Sequence, residues 1–600
     1  MCGIVGYLGS RPAAPILLEA LKRLEYRGYD SVGIATLSKK IFVKKDKGRI
    51  AEIDRKLKLA ELPGNLGLGH TRWATHGEPS RANAHPHLDN SGRIAVVHNG
   101  IIENYLEIKK FLQRQGYRFV SKTDTEVIPN LISHFMKKGR SLEQSVRQAV
   151  KRLKGSFALA IVSLDEPDKM VAARKDSPLI IGLGKGEMFL ASDVPAMLQH
   201  TKRVIVLENG EMAVLTPVQV SIKNFSTGVE IERRPMVVKW TAEMAEKGGY
   251  PHFTLKEIFQ QPDAVRDTLC AAPEELKKLA RFLLNAKRVY LVACGTSSHA
   301  ALVAKYAFAK LADFPVEVII SSEFRETCRL DSETAVLAVT QSGETADTLK
   351  AVEAAKTAGA RVACLTNVVG SSITRLSDLV SYTFAGPEVS VVATKTFAAQ
   401  VAYLLLLAIN LAEEKGLLRS RTRELVSSLK AIPNTMRKIL LEVEPQIRDL
   451  ARRHLDAKNI YLIGRGIGYP IVLEGALKLK EITYIHSEGM PAGELKHGTL
   501  ALIEKGTPVI AVVPPGGSRV KMVSNIEEVK ARGAKVIAIG EDSDDVRGHV
   551  DELVPIPCTQ ELFSPLLYII PLQLLAYHIT VGRGQDPDCP RSLAKSVTVE

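Results

Sequence analysis

The sequence predicts an α+β domain with antiparallel sheets, followed by two α/β domains that are each built on a doubly wound parallel sheet. Three observations support this. Residues 1–235 alternate short strand-like segments with a few helical ones. From about residue 285 buried-type strands alternate with helices, and this pattern occurs twice. A chain of 600 residues, 46% hydrophobic and 24% charged, is globular and long enough for three or four domains.

The N-terminal domain is predicted over residues 1–235 from segments of two kinds. Apolar patterns typical of strands are GIVGYLG, SVGIATL, RIAVVHNGII, FALAIVSL and MFLASD. Apolar spacing typical of helices occurs in APILLEALKRLEY, NYLEIKKFLQRQG and EVIPNLISHFMKK. Residues 236–275 contain the pair Gly248–Gly249 and no long periodic stretch, so we predict a linker that carries one short helix, FTLKEIFQQP.

Two sequence units recur in the remaining chain. The segment RVYLVACGTSSHAALVAKYAF at 288–308 resembles NIYLIGRGIGYPIVLEGALKL at 459–479. The segment at 334–367 resembles that at 507–540, in the same order and at a similar offset. The matched length and order favour an internal duplication over a chance similarity of two βαβ units.

The duplication sets the expected domain boundaries. We predict the first α/β domain over residues 276–425 and the second over 445–585. A long helical stretch that includes VAYLLLLAINLAEEKGLL and runs to about residue 450 would join them. Residues 586–600 have no strong periodicity and are predicted to form a C-terminal tail.

Composition restricts the partners and the compartment. The net charge of +14 is spread along the chain without a dense basic run, which disfavours nucleic acid as a partner. The seven cysteines are irregularly spaced and form no CxxC, which argues against a disulfide framework or a zinc site. The N-terminus lacks the pattern of a signal peptide, and the longest apolar run, residues 401–409, is too short for a bilayer of about 30 Å. We expect a cytoplasmic protein with no membrane or metal partner.

Cys2 is the most informative residue because it directly follows the initiator methionine. Removal of that methionine would leave Cys2 with a free α-amine, which titrates at about 7.7–8.0. The amine can then act as general base for the thiol of the same residue. Position alone favours a structural role, since a cysteine here is more often a small buried apolar residue.

Other polar residues of this domain fit such a nucleophile but have simpler explanations. Asn99 and Gly100 could donate hydrogen bonds to an oxyanion, although an Asn-Gly pair alone is usually a turn. Asp124 could pair with a substrate ammonium or cap the helix that follows. The segment at 70–87 could be a polar surface loop, and metal binding by its histidines is disfavoured because they lack a carboxylate partner and ligand spacing. Those histidines are His70, His76, His85 and His87.

Five motifs in order resemble the class II glutamine amidotransferase family. They are CGIVGY, LEYRGYDSVGIA, GHTRWATHG, HNGIIENY and SKTDTEV. The resemblance implies an N-terminal-nucleophile fold in which a cysteine attacks the side-chain amide of glutamine and releases ammonia and glutamate. The implied roles are as follows: Cys2 is the nucleophile, Asn99 and Gly100 form the oxyanion hole, Arg72 holds the α-carboxylate, Asp124 holds the α-ammonium, Thr75 and His76 shape the site, and Trp73 gates its exit.

A turn rich in hydroxyl groups in the first α/β domain is a candidate phosphate cradle. It lies in TAVLAVTQSGETADTLKAVEAA, a strand, a turn and the start of a helix, whose N-terminal amides attract anions. For Ser342 alone, a helix cap is an equally good explanation. The second copy reads VPPGGS and lacks QSGET, so we expect it to have lost the cradle. The cradle side chains are Thr340, Gln341, Ser342 and Thr345, with a second turn, CGTSS, at the next strand end.

The second copy and the tail supply candidate acid–base groups. Lys478 and Glu481 are three residues apart, on one face of a predicted helix, where a surface ion pair is the simpler interpretation. His497 could be structural, and Lys595, near the C-terminus, would ordinarily be a solvated tail lysine.

These motifs resemble the sugar isomerase (SIS) family of sugar-phosphate-binding domains, and the whole chain resembles amidotransferases that aminate and isomerise a ketose phosphate. The resemblance implies that Lys595 forms a Schiff base with D-fructose 6-phosphate, so no cofactor is needed. His497 would help to open the ring, Glu481 would move the proton between C1 and C2, and Lys478 would assist. The residues implied to line the sugar site are Ser297, Val391 and Ala594, beside the cradle. The family often has serine at Thr340 and asparagine at Ser592.

The expected reaction converts L-glutamine and D-fructose 6-phosphate to D-glucosamine 6-phosphate and L-glutamate. A dry channel, with Trp73 and the tail as walls, would keep the ammonia neutral. A glutamine phosphoribosyl-pyrophosphate amidotransferase is an alternative, but the acidic diphosphate-binding strand end it needs is not seen. A sugar-phosphate-sensing regulator is another, but it would need a DNA-binding module. Apolar helices after residue 400 and at 563–578, with the resemblance, suggest a homodimer.

Overall fold

The structure is a computed structural model, and it describes residues 2–74, 76–238, 240, 243–270, 273–418 and 421–597. The chain divides into two compact units. The first comprises Met1–Glu246 together with Ala594–Glu600, and the second comprises Lys247–Leu593.

The first unit contains two antiparallel sheets. The order of one is β14-β11-β9-β10-β1-β4-β2-β3, and the order of the other is β13-β12-β8-β7-β6-β5. The strands are β1 (Gly3–Leu8), β2 (Ser31–Leu37), β3 (Ile41–Lys47), β4 (Leu66–Arg72), β5 (His87–Leu88), β6 (Ile94–Ile102), β7 (Gly155–Ser163), β8 (Glu166–Lys175), β9 (Ile180–Leu183), β10 (Met188–Ala191), β11 (Arg203–Val206), β12 (Glu211–Leu215), β13 (Val220–Asn224) and β14 (Met236–Val237). The helices are α1 (Ala13–Lys22), α2 (Ile50–Leu57), α3 (Tyr105–Arg114), α4 (Val127–Met136) and α5 (Leu142–Val150).

The alternation of side chains along β6 explains how the layers of this unit pack. Ala95 and Val97 join a core cluster with Ile4 and Leu8 of the other sheet, so these side chains lie between the two sheets. Ile94 and Val96 point the other way and pack with apolar residues of α3, α4 and α5. The core therefore lies both between the sheets and under the helices, as predicted for an α+β domain with antiparallel sheets.

The second unit contains two parallel sheets of identical strand order, β16-β15-β17-β18-β19 and β21-β20-β22-β23-β24. Its strands are β15 (Arg288–Ala293), β16 (Glu317–Ile320), β17 (Thr334–Val339), β18 (Arg361–Thr366), β19 (Leu379–Tyr382), β20 (Asn459–Gly464), β21 (His486–Pro491), β22 (Pro508–Val513), β23 (Lys535–Gly540) and β24 (Glu552–Pro555). Its helices are α6 (Phe253–Phe259), α7 (Gln261–Leu269), α8 (Pro273–Leu284), α9 (Gly295–Ala312), α10 (Phe324–Thr327), α11 (Ala346–Thr357), α12 (Ser372–Leu376), α13 (Lys395–Glu414), α14 (Thr422–Arg452), α15 (Gly468–Lys478), α16 (Arg519–Lys530), α17 (Asp544–Arg547) and α18 (Ser564–Gly582). The two doubly wound parallel sheets are as predicted.

The region predicted as a linker differs from the expectation. Where one short helix was predicted, the structure has two, α6 and α7. Pro262 lies in the first turn of α7, where its missing N–H costs nothing, so a second helix begins directly after α6 ends.

The apolar run at 401–409 lies within a longer apolar helix, α13. By length and composition, α13 and the segment Glu561–Gly582 could each cross a membrane, but 89% of the most apolar window of each is buried within the protein. Burial on all sides is typical of a core helix. Because this apolar surface is already buried, it no longer supports self-association, and the homodimer remains a prediction that follows from the resemblance.

Candidate active sites

Cys2 lies immediately before β1, next to the end of β4. The backbone N–H of Trp73 donates a hydrogen bond to Cys2 Sγ over 3.2 Å. Burial raises the pKa of the Cys2 thiol, while the Trp73 N–H and the nearby Arg72 act in the opposite direction. A buried thiol with a raised pKa stays protonated at rest, so an attack on an amide needs a local base.

Asn99 and Gly100 lie within β6 and pair with Ala158 and Phe157 of β7, so the turn interpretation of this pair is wrong. The Asn99 Nδ2 group donates to the carbonyl oxygen of Cys2 over 2.8 Å. Gly100 has a φ of +121°, and a Cβ at this position would lie 2.2 Å from the Ser156 carbonyl oxygen. Only glycine fits this backbone, which brings the Asn99 amide to the cysteine.

Arg72 and Asp124 are both nearly buried in this unit. Arg72, at the end of β4, donates hydrogen bonds to the carbonyl oxygens of His76 and Gly77, the latter over 3.1 Å. Asp124 accepts a hydrogen bond from the Ile102 N–H over 2.7 Å and makes no cap for α4, whose N-cap position is Glu126. The helix-cap interpretation of Asp124 is therefore wrong.

Trp73 and His76 are partly exposed, and Thr75 lies outside the described residues. The Trp73 indole stacks edge-on against Tyr29 with ring centroids 5.4 Å apart. The surface-loop interpretation of 70–87 is wrong in part, because His70, His85 and His87 are buried. Among the described residues, no group of three or more His, Cys, Asp or Glu side chains could hold a metal ion.

The cradle turn lies where the strand order of the first parallel sheet reverses. The strand β15 lies between β16 and β17. The connection after β15 therefore runs toward one edge of the sheet, and the connection after β17 runs toward the other. Residues of α9 pack in one core cluster with Leu291 and Leu337, while residues of α11 pack in another with Val292 and Val336. Ligands of doubly wound sheets bind in the crevice at this switch point, beside the helix N-termini.

The cradle side chains surround the N-terminus of α11. Thr340 Oγ1 accepts a hydrogen bond from the Gly343 N–H over 3.3 Å, and Ser342 Oγ accepts one from the Glu344 N–H over 3.1 Å. The N-cap of α11 is Thr345, whose side chain makes no capping hydrogen bond. Ser342 is therefore not the helix cap, and the turn holds its hydroxyl groups at a helix N-terminus. Gln341 belongs to the same turn, and its carbonyl oxygen accepts a hydrogen bond from the Asn367 N–H over 3.1 Å.

Ser297 and Val391 are held by buried contacts in the second unit. Ser297, in the first turn of α9, accepts a hydrogen bond from Gln400 Nε2 over 3.0 Å. The Val391 N–H donates to the carbonyl oxygen of Asp588 over 3.2 Å, and the Asp588 carboxylate accepts from the first N–H groups of α6. The segment just before the tail is thereby fixed against the loop that carries Val391.

The ion pair of Lys478 with Glu481 is not a solvated surface pair, because Lys478 is buried and Glu481 is only partly exposed. Lys478 is 1% exposed, and its Nζ lies 2.6 Å from Glu481 Oε2 and 3.3 Å from Glu474 Oε1. Burial alone lowers the pKa of Lys478, but the two carboxylates outweigh it and raise that pKa. Glu481 lies in a π-helical turn, Leu479–Thr483, that continues α15. Such turns are frequent at functional sites.

Sequence reasoning missed the groups that surround Lys478. Glu474, fully buried, accepts hydrogen bonds from Thr296 Oγ1 over 3.0 Å and lies 2.7 Å from His299 Nδ1. Thr296 also lies 3.1 Å from Lys478 Nζ, so α9 of the first parallel-sheet domain meets α15 of the second. The spacing of four residues between Glu474 and Lys478 could have indicated one of these contacts. The contacts with α9 join distant parts of the chain and leave no local pattern.

His497 does not belong to the hydrogen-bond network described for Lys478. His497 is exposed at the end of a 3₁₀ helix, Ala492–His497, and within the described residues it makes no hydrogen bond to Lys478 or Glu481. Ala594 and Lys595 group with the first unit, whereas Lys478 lies in the second. The predicted roles of His497, Ala594 and Lys595 thus remain predictions.

Family models match both units. A glutamine amidotransferase domain model matches residues 70–199, and a SIS domain model matches residues 282–410 and again 455–582. The fold and the two sites therefore define a glutamine amidotransferase joined to a pair of SIS domains.

Full-length relatives specify the family. The chain is 52% identical to the isomerising glutamine–fructose-6-phosphate aminotransferase of Methanothermobacter thermautotrophicus and 50% identical to that of Thermococcus kodakarensis, each over 100% of both chains. The C-terminal domain of the glucosamine-fructose-6-phosphate aminotransferase of Francisella tularensis superimposes with a TM-score of 0.55 at 37% identity, covering 57% of this chain and 100% of that one. The chain belongs to the isomerising glutamine–fructose-6-phosphate aminotransferase family, and it is an enzyme.

Proposed function

We propose that the protein converts L-glutamine and D-fructose 6-phosphate to L-glutamate and D-glucosamine 6-phosphate. The observation that carries this proposal is the contact of Thr296 with Lys478. This contact joins α9, which begins beside the strand end where the cradle lies, to the ion pair of the buried Lys478 with Glu481. A domain that only binds a sugar phosphate has no need of an acid–base pair at that place.

The glutamine half-reaction uses Cys2 at the mature N-terminus. The α-amine takes the thiol proton as Sγ attacks the side-chain amide carbon, and Asn99 with the Gly100 N–H stabilises the oxyanion. The amine returns the proton to the leaving nitrogen, ammonia departs, and a thioester remains. Water then hydrolyses the thioester to glutamate and restores the thiol. Arg72 and Asp124 hold the α-carboxylate and the α-ammonium of the substrate, and Thr75 with His76 shapes the pocket.

The sugar half-reaction uses the second unit and the tail. The phosphate binds Thr340, Gln341, Ser342 and Thr345, and Ser297, Val391 and Ala594 line the sugar. His497 assists ring opening, and the Lys595 amine condenses with the C2 ketone with loss of water. Ammonia replaces Lys595 on C2, which leaves an imine. Glu481 takes a proton from C1 and returns one to C2, with Lys478 holding its carboxylate, while the hydroxyl proton on C1 passes to the nitrogen. The imine thus becomes an amine and C1 an aldehyde.

Ammonia must pass between the half-reactions without meeting bulk water. In neutral water it is mostly ammonium, which has no lone pair with which to attack a carbonyl. A closed path keeps it neutral, and we assign Trp73 and the tail to its walls. The water released on imine formation balances the water used on the thioester.

We also propose a cytoplasmic homodimer. All seven cysteines are free, which is typical of a reducing compartment. The dimer follows from the family resemblance.

The test incubates purified protein with glutamine and fructose 6-phosphate and assays amino sugar phosphate and glutamate. Wild type should form both in equal amounts. Cys2→Ala should lose the glutamine-dependent product and keep glutamine-independent isomerisation of the sugar phosphate, because only the first half-reaction needs the thiol. Loss of isomerisation in a folded Cys2→Ala protein would contradict the two-site assignment.

A further inference from the structure

Four buried histidines lie behind Asn99 in the first unit, and none has a role in the proposed reaction. His70 and His85 stack with ring centroids 4.2 Å apart, and His85 lies 4.8 Å from the ring of His87. His98 precedes Asn99 on β6, and its Nδ1 lies 2.8 Å from Thr125 Oγ1. Each of the four is at most 4% exposed.

The hydrogen bonds of His70 determine where its proton lies. Burial lowers the pKa of His70 to about 3, so the ring is neutral and carries one N–H. Its Nε2 lies 3.0 Å from Asn99 Oδ1 and 3.1 Å from the His98 carbonyl oxygen, which are both acceptors. Its Nδ1 has no hydrogen-bond partner among the described residues. The single N–H is therefore on Nε2 and points to Asn99 and to the His98 carbonyl.

This N–H fixes which way the Asn99 amide faces. With Oδ1 accepting from His70, Nδ2 donates one hydrogen to the Cys2 carbonyl oxygen over 2.8 Å and keeps a second for another acceptor. If the amide rotated by half a turn, its oxygen would face the Cys2 carbonyl and its NH₂ would face the His70 N–H. Both contacts would be repulsive, and the group offered to a developing oxyanion would itself be an acceptor.

We propose that His70 is a positioning residue for the oxyanion hole, which holds the side-chain amide of Asn99 with its N–H toward the carbon that Cys2 attacks. The inference rests on the proposed glutaminase reaction. His85 stacks on the His70 ring, and among the described residues it makes no hydrogen bond to Asn99.

The test compares His70→Leu with His70→Gln, since a glutamine amide can still donate to Asn99 Oδ1. For glutamine hydrolysis, His70→Leu should lower kcat roughly 10- to 100-fold, because the loss cannot exceed that of removing one oxyanion-hole donor. The KM for glutamine should change less than about threefold. His70→Gln should recover most of kcat. An aldehyde analogue of glutamine, which forms a tetrahedral adduct on the thiol, should bind His70→Leu more weakly by the same factor as kcat.

Two controls separate positioning from packing. His85→Leu disturbs the same stack and should keep kcat within about threefold of wild type. Glutamine-independent isomerisation, which uses the second unit and the tail, should be unchanged in all variants. Equal losses in the Gln and Leu variants, or a loss in KM alone, would overturn the role of His70. An absence of glutamine hydrolysis in wild type would instead overturn the proposed function.

Discussion

At the residue scale, Asn99 and Lys478 are buried and held by hydrogen bonds before any substrate arrives. Asn99 has both ends of its amide engaged, and Lys478 lies between two carboxylates. A buried polar group without partners costs about 1–3 kcal/mol, so these networks also keep the sites in one conformation. Hydrogen-bond donors that are already in position stabilise an oxyanion or assist proton transfer well, because the protein need not rearrange during the reaction.

The buried histidines make the first unit sensitive to acid. Burial holds the pKa of His87 well below its ordinary value, so between pH 6.5 and that lower pKa the unfolded chain binds more protons than the folded one. The stability that this histidine contributes is therefore complete above pH 6.5 and is lost as the pH falls. At about pH 5 the loss amounts to up to about 2 kcal/mol for one such histidine.

The His87 Nε2 lies 3.1 Å from Thr123 Oγ1, so the variant His87→Gln removes this titration and can still hydrogen-bond Thr123. Its unfolding free energy should fall less than that of wild type between about pH 7.5 and pH 5. Trp73 and Trp240, the two tryptophans, both lie in the first unit, so urea unfolding followed by tryptophan fluorescence reports on that unit alone. Equal pH slopes for the two proteins would refute the prediction. The control is His134→Gln, because burial lowers the pKa of the partly exposed His134 less than that of His87, so its pH slope should change less.

Residues with a local pattern were predictable, and residues defined by distant contacts were not. The order of the motifs placed Cys2 and Asn99 in one domain, and the spacing of Lys478 and Glu481 predicted their contact. The structure shows that Lys478 is buried, which spacing cannot reveal, because its burial depends on contacts with α9. The positioning role inferred for His70 needs β4 of one sheet to pack against β6 of the other, and no short sequence pattern predicts that contact.

At the element scale, the cradle depends on a glycine in the turn between β17 and α11. Gly343 has a φ of +68°, and a Cβ there would lie 2.1 Å from Ser371 Oγ. A side chain at this position must strain the turn or displace Ser371. Strain of roughly 1–3 kcal/mol corresponds to a roughly 5- to 150-fold change in an equilibrium constant.

Gly343→Ala should raise KM for fructose 6-phosphate roughly 5- to 150-fold and leave glutamine hydrolysis unchanged. The aligned turn of the second domain offers a control, because a Cβ on Gly517 would meet nothing within 4 Å. Gly517→Ala should therefore behave as wild type in steady-state assays. An unchanged KM in a folded Gly343→Ala protein would show that this turn does not hold the phosphate.

The hydrophobic periodicity predicted which segments are helices and which are strands, but one helix boundary depended on a single residue. The strands and helices of both parallel sheets lie where strand–turn–helix patterns predicted them. The region 236–275 was harder to predict because Pro262 starts a second helix directly after the first. The segment 401–409 looked like a short apolar run, yet it is part of α13, whose apolar residues extend on both sides.

At the scale of the whole molecule, one chain combines a unit for releasing nitrogen with a unit for accepting it. The first unit holds Cys2 and includes residues 594–600 from the other end of the chain. In the second unit, Asp588 caps α6, and the Arg591 guanidinium lies 4.1 Å from the ring centroid of Tyr484. The chain thus belongs to the second unit as far as Leu593, and the role of Lys595 remains a proposal.

The central claim is that nitrogen released at Cys2 reaches the sugar without entering the solvent. The most direct measurement supplies amide-¹⁵N glutamine and fructose 6-phosphate with unlabelled ammonium in about a hundredfold excess, and determines the isotope in the amino sugar phosphate by mass spectrometry. Internal transfer predicts a product that carries almost only ¹⁵N. A product whose label is diluted to the isotope ratio of the medium would contradict the claim.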